Sequence, residues 1–286
     1  MQEGDPTMCS DNIPNETIVL KFGGSALTHV GELRAAVGEI RREVRKGRSV
    51  IAIVSPIFGT TPRLIAEAGK LSDSPSGPAL ARLVASGARH AASLLSLALT
   101  DAGQAHTAVT AREVGLLAQG PSGDAEPAAI DTAAVQHLLN RAPVLVLPGL
   151  EAINEREQPT LLGGGGIGGV GKRGGTDLLA VFIAEALGAD VRLIKDSEGI
   201  YQTPSGRIDP RADERATRYT AIAWEDASRF AGRIVGPRAL ALAARRGVRI
   251  QVGALGSSRV TTICGWTELE SAVGHADAPQ AVGLAA

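Results

Sequence analysis

Aromatic residues are scarce: four Phe, two Trp and two Tyr make up 3% of the 286 residues. The core must therefore be aliphatic, and nucleic-acid binding through base stacking is not expected. Cysteine is nearly missing too. Cys9 sits in a polar N-terminal stretch and Cys264 near the other end, with neither zinc-ligand spacing nor a disulfide framework. Neither sign of charge dominates. The 29 basic and 30 acidic residues leave a net charge of −1, which suggests no polyanion-binding surface. No apolar run approaches the ~20 residues that span a bilayer. The opening MQEGDPTMCSDNIPNE has no apolar signal region. Together these absences point to a reduced cytoplasm and away from membranes. Lysine is rare as well: only Lys21, Lys46, Lys70, Lys172 and Lys195 occur, so lysines in or beside glycine loops stand out.

What is present is ordinary globular material, with 44% hydrophobic and 21% charged residues. The length suits one large α/β domain or two small ones. Residues 1–16 read as a disordered tail and the last ~20, rich in Ala and Gly, as peripheral. Between them, apolar β-rich runs alternate with helical periodicity. Strands are expected at Thr17 to Phe22, Ser49 to Val54, His106 to Val109, Pro143 to Leu147, Asp190 to Lys195 and Val248 to Val252, with a further one at Val260 to Ile263. Helices are expected at Glu32 to Lys46, Thr60 to Lys70, Ala79 to Ala102, Asp131 to Arg141, Thr176 to Leu187, Trp224 to Gly232 and Pro237 to Arg246. A hairpin is expected over Glu151 to Leu162, and 199–220 reads as loop-rich. Alternation of this kind implies a mainly parallel sheet with helices on both faces, a three-layer α/β/α sandwich. Ligands in such folds sit beyond the C-terminal ends of the strands.

Four segments fall at such ends. The first is Lys21-Phe-Gly23-Gly24-Ser25, directly after a strand. Tandem glycines let backbone N–H groups approach phosphate oxygens, and the lysine can neutralise a phosphoryl group. It is not a Walker loop, and a tight turn with a solvated lysine is the alternative. The second is Gly163 to Asp177, with nine glycines between 163 and 175, Lys172 and Arg173 among them, and Thr176 or Asp177 as a helix N-cap. Arg173 offers a fork for a carboxylate or phosphate. A flexible linker is the alternative. The third is Lys195-Asp196-Ser197-Glu198-Gly199-Ile200-Tyr201, a nucleotide shelf in which Tyr201 offers a ring face to a base, or else an ordinary turn with a packed tyrosine. The fourth is Gly232-Arg233-Ile-Val-Gly236-Pro237-Arg238, opening a helix. By itself it favours a structural role.

Taken together and in this order, the segments resemble the amino-acid kinase superfamily, and within it the aspartokinase catalytic domain. Lys21 to Ser25 is similar to that family's KFGGS. Val54 to Pro62 resembles VSAMGGTTD, Lys172 to Asp177 resembles GRGGSD, Asp196 to Tyr201 resembles TDVDGVY, and Ala231 to Ala239 resembles GAKVLHPRA. The resemblance runs from about residue 17 to 263. It implies a catalytic domain over 17–265 that uses MgATP to phosphorylate the carboxylate of a small acid, giving an acyl phosphate. By the same resemblance Lys21, Arg173 and Asp177 are catalytic. Gly23, Gly24, Ser25, Lys195, Asp196, Tyr201 and Arg233 hold the nucleotide. Ser55, Thr60, Thr61, Ala88, Arg173, Gly174, Gly175 and Thr176 line the acceptor. No protein metal site is implied, and the expected assembly is a homodimer or larger.

The departures bear on the acceptor. Ser86-Gly87-Ala88-Arg89 aligns with the family's SGER, whose glutamate is expected to bind the substrate ammonium and is Ala88 here. Lys195 stands where the family has threonine, Glu198 where it has aspartate, Arg233 where it has lysine, and Pro62 where it has an acidic or amide residue. Regulatory domains like the family's do not follow the last strand, so feedback inhibition through them is not expected. Two further readings remain: a non-catalytic nucleotide- or oxoanion-binding relative, and a kinase resembling uridylate kinase.

Overall fold

The computed structural model describes residues 17–163, 174–202, 208–209, 217–229 and 234–265. The tails at 1–16 and 266–286, the centre of the long glycine loop with Lys172 and Arg173, and Arg233 lie outside them.

The chain opens with β1 (Thr17–Phe22), α1 (Glu32–Arg45) and β2 (Ser49–Val54). Next come α2 (Thr60–Gly69), the long α3 (Gly77–Asp101) and a short β3 (Thr107–Ala108). Two strands the sequence reading did not anticipate follow, β4 (Leu117–Gln119) and β5 (Glu126–Ala129). Then come α4 (Thr132–Arg141), β6 (Val144–Pro148), and the expected hairpin of β7 (Glu151–Ile153) and β8 (Pro159–Leu161). After the glycine loop run α5 (Gly175–Leu187) and β9 (Asp190–Lys195). The loop-rich region contains a small ribbon of β10 (Tyr201–Gln202), β11 (Ile208–Asp209) and β12 (Thr217–Arg218). The chain closes with β13 (Ala221–Ala223), α6 (Trp224–Ser228), α7 (Pro237–Arg246), β14 (Ile250–Ala254) and β15 (Val260–Cys264).

The main sheet has the order β13-β15-β14-β9-β1-β2-β6-β3. Its centre, β14 through β3, is parallel, and β15 joins antiparallel to β14. Strand residues alternate between two buried faces. Ile18, Leu20 and Phe22 of β1 join Val50, Ala52 and Val54 of β2 in a cluster with Leu33, Ile40, Leu95 and Leu99 of α1 and α3. Val19, Ile51, Ile53, Val191 and Leu193 face the other way, toward α4, α5 and α7. The period of two therefore turns Lys21 and Lys195, the last residues of that second set, toward α5.

The helix starts are specific. Asp131 caps α4 by accepting from the Ala134 N–H at 2.9 Å. The expectation that Thr176 or Asp177 caps α5 is corrected: the N-cap is Gly174, and no side chain caps this helix. Gly174 has φ +112, and a side chain there would come within 2.7 Å of Gly236 Cα, so only glycine fits between the starts of α5 and α7. Asp177 is thereby moved into the first turn, where its carboxylate turns inward.

At the opposite, N-terminal end of the strands, Glu43 of α1 is fully buried. It accepts from Lys46 at 2.9 Å, Arg48 at 3.4 Å and Arg192 at 3.3 Å. Burial by itself would raise its carboxyl, but these cations override burial and hold it below the ordinary value. Arg48 also pairs with Asp190 of β9.

Candidate active site

Lys21 and Lys195 come from adjacent parallel strands, β1 and β9, whose register places Phe22 beside Ile194. Gly23 continues that register, its N–H bonding the Ile194 carbonyl at 3.0 Å. Both lysines then close over the Gly23 turn. A side chain at Gly23 would sit 3.1 Å from Lys21 Nζ, 3.6 Å from Lys195 Cδ and 3.0 Å from the Ile194 carbonyl. The first glycine is needed for this close approach and not as a phosphate donor, since its N–H is already committed. The donors left over are the N–H groups of Gly24 and Ser25, which bond to no described residue.

Asp177 of α5 joins the two lysines. Lys21 Nζ lies 2.7 Å from Oδ1. Lys195 Nζ donates to both oxygens, at 2.8 and 2.7 Å. The Gly236 N–H adds a bond to Oδ2 at 3.2 Å. Lys21 and Asp177 are both buried, at 5% and 3% exposure. Burial pulls the Lys21 ammonium down to about 8, with Lys195 adding to that effect and Asp177 opposing it. For Asp177, burial alone would raise the carboxyl, but Lys195 and then Lys21 override it and hold it far below the usual carboxylate range. The trio carries a net positive charge beside two unpaired N–H groups, which is the chemistry of an anion site.

The residues expected to line an acceptor come from the end of β2 and from α2, α3 and α5. Ser55, at the end of β2, donates its N–H to the Phe22 carbonyl at 3.0 Å. Thr176 is buried beside Asp177. A side chain at Gly149 would strike Thr176 Cγ2 at 2.5 Å, so the turn after β6 lies directly on the start of α5. Thr60 and Thr61 open α2, and Thr60 Cγ2 lies 2.9 Å from where a Gly87 side chain would begin, which brings α2 onto α3. Ala88, one residue on, is fully buried and carries no polar group into the site.

The proposed nucleotide shelf is only partly as expected. Asp196 is exposed at the end of β9, as a ribose or phosphate contact requires. Tyr201 is buried at 9% exposure in the β10–β12 ribbon and offers little ring surface to a base. Arg238 is held away from any ligand by a forked pair to Asp124, at 2.6 and 3.2 Å, and by Glu126 at 3.5 Å. Its role is structural, tying α7 to the β4–β5 turn. Two participants escaped the sequence reading: Gly149 and the Gly236 N–H. Pro148-Gly149 after an apolar strand was the available signal for the first.

An α/β/α sandwich with a lysine pair and a glycine turn at the C-terminal ends of its parallel strands defines the class. The profile of the amino acid kinase family matches residues 16–253, and the chain belongs to that family. Among curated relatives, it is 30% identical over 239 residues to Aspartokinase 2 of Bacillus subtilis (strain 168), covering 82% of this chain and 55% of that protein. The chain therefore spans about half the length of the curated relatives it matches. Among solved structures, aspartate kinase from Synechocystis superposes with a TM-score of 0.70 at 26% identity, covering 87% of this chain and 40% of the other. E. coli aspartokinase III in complex with aspartate and ADP superposes with a TM-score of 0.67 over 87% of this chain and 65% of the other. At 22% identity, that likeness shows the fold alone.

Proposed function

We propose that the chain is an ATP-dependent kinase that phosphorylates the carboxylate of a small acid, aspartate or an aspartate-like compound, to an acyl phosphate. The observation that carries this reading is the convergence of Lys21, Lys195 and Asp177 over the Gly23 turn, beside the free N–H groups of Gly24 and Ser25. The family relationship and the 30% identity to Aspartokinase 2 of Bacillus subtilis (strain 168) support it.

The acceptor is already ionised at neutral pH, so the protein need not remove a proton from it. A carboxylate oxygen bonds to the γ-phosphorus as the bond to the β,γ-bridging oxygen breaks, and the electron pair leaves on ADP. Positioning and charge neutralisation are what remain for the protein to supply. Lys21 neutralises the transferring phosphoryl group from inside the cleft. Lys195 reaches the same region from β9 and acts as a second cation, a role that threonine cannot fill. Asp177 keeps both ammoniums in place, and the Gly24 and Ser25 N–H groups cradle phosphate oxygens. Mg2+ bound to the nucleotide would neutralise phosphate charge, and Lys21, Lys195 and the Gly24 and Ser25 N–H groups would position those phosphates. Arg173 as a carboxylate fork and Arg233 and Asp196 as nucleotide contacts belong to the same proposal, as do a cytoplasmic location and a homodimer or larger assembly.

The test is turnover of MgATP with a panel of four-carbon acids, trapping the product as a hydroxamate. Lys21→Ala is expected to lower the rate by about a hundredfold or more, as loss of one preorganised transition-state donor does. A full rate in that variant removes the proposed role. ATP binding without turnover of any acid would identify a non-catalytic binder, and transfer to UMP a nucleoside-monophosphate kinase.

A further inference from the structure

The turn that follows β6 and packs on the start of α5 leads into a carboxylate that no motif accounts for. Strand β6 ends in Pro148-Gly149, and Leu150 follows with φ +73, a left-handed conformation that non-glycine residues rarely adopt. The turn is held by the Leu162 N–H bonding the Leu150 carbonyl at 2.8 Å. It sits on the start of α5. Gly149 abuts Thr176, and Leu150 Cδ2 lies 3.2 Å from where a Gly175 side chain would begin. Backbone strain at such a place is typical of a functional wall. The next residue, Glu151, is delivered onto α3.

Arg89 receives it. Its Nη1 donates to Glu151 Oε1 at 2.7 Å, and its Nη2 to the Arg82 carbonyl at 3.2 Å. The guanidinium is thus fixed at both arms, and the carboxylate is pinned by one oxygen. Glu151 Oε2 accepts from no described residue, although the side chain is only 12% exposed. Burial pushes its carboxyl up, against Arg89 and Arg82. Its Oε2 is nevertheless not sealed from solvent, so an incoming group can reach it. The neighbouring α3 residue, Ala88, is buried and cannot supply a charge to this wall.

We propose that Glu151 determines acceptor specificity, its free Oε2 taking a hydrogen bond from a cationic amine on the acid being phosphorylated while Arg89 fixes the carboxylate through Oε1. This rests on the kinase reading above and names its substrate class: an amino acid, despite Ala88. The charges near Glu151 are those of Arg82 and Arg89, both opposed to an incoming cation. The structure already shows that one carboxylate can serve two cations at this end of the fold, since Asp177 does so for Lys21 and Lys195. An ammonium at Oε2 would complete the same cation–carboxylate–cation array.

The experiment compares aspartate with succinate, the same diacid without its amine, in the full chain and in Glu151→Gln and Glu151→Asp. In the unchanged protein aspartate is expected to be the better acceptor. Glu151→Gln should lower kcat/KM for aspartate at least tenfold, mainly through KM, and leave succinate within about twofold. Glu151→Asp should fall between. Calorimetric binding of the two diacids to protein loaded with a non-hydrolysable ATP analogue reads the same discrimination without turnover. Equal losses for both diacids, no change for either, or a native preference for succinate that Glu151→Gln leaves intact would each overturn the assignment. If the unchanged protein phosphorylates no acid, the kinase reading falls separately, and the binding arm still decides whether Glu151 reads the amine.

Discussion

Replacing Asp177 by Asn removes one charge from a site with almost no water. Asn keeps the shape and can still accept from the Gly236 N–H, now at 3.2 Å. It cannot balance Lys21 and Lys195, whose ammoniums lie 2.7 Å from the present carboxylate oxygens. Two buried like charges then face each other with nothing between them. Breaking a buried pair by removing one partner costs about 3–5 kcal/mol. At roughly 2–4 °C per kcal/mol for a chain of this size, Asp177→Asn should melt about 10 °C lower at pH 7. The sign of the pH dependence follows from the lysines. Burial already pulls Lys21 below the ordinary lysine value, and loss of Asp177 can only pull it further. Only the two folded-state values enter the difference between the proteins: the extra cost of a charged Lys21 is full below the variant's value, shrinks up to the parent's value of about 8, and is constant above it. The difference in Tm between the two proteins should shrink as pH rises toward about 8 and stay level from there to pH 10. Circular dichroism melts across that range test this. A Tm difference below about 2 °C at pH 7, or one that grows with pH, would refute the reasoning.

Two further outcomes follow from the same geometry. If protonated Lys21 is the working form, kcat/KM should be level near pH 7 and fall above about 8, where the free protein loses that proton. The alkaline limb of kcat should lie higher, because bound phosphates favour the ammonium; a flat profile from pH 7 to 9.5 in kcat/KM counts against Lys21. At the other end of the strands, Glu43→Gln strips the charge from a buried carboxylate shared by Lys46, Arg48 and Arg192. It should lower stability by about 3 kcal/mol in urea unfolding while leaving kcat within twofold, and an unchanged unfolding midpoint would mean that the network contributes nothing. The depressed Glu43 carboxyl contributes above its unfolded-state value and is lost on acidification, so the variant and the parent should converge at low pH.

Much of this was written along the chain. The apolar run at 49–54 reads as a buried parallel strand because both of its faces are hydrophobic, and 17–22 and 190–195 read as strands from their β-rich apolar residues. The helices were legible from their period, and Lys21-Phe-Gly-Gly-Ser after a strand stood out as a candidate phosphate turn, with a tight turn and a solvated lysine as the alternative. The short strands β4 and β5 were not legible. At three and four residues they are too brief for a periodic signal, and β4 owes its place to pairing with β7, distant in sequence. The cap of α5 was misread because Thr-Asp carries good capping chemistry, while the close approach of Gly174 to Gly236 depends on how α5 meets α7.

The sequence by itself thus determined the central strands, their two faces and the glycine turn after β1. These follow from local periodicity and from residue types that admit few alternatives. Only the tertiary structure decided the partners. Lys195 meets Asp177 because β9 lies beside β1 in parallel register and a period of two turns its last residue toward α5. Arg89 meets Glu151 because a strained turn at Leu150 carries the chain back onto α3. Residue spacing along one strand cannot encode contacts between elements that are distant in sequence. Those contacts fix where the charges stand and, on the reading proposed above, which acid the cleft accepts.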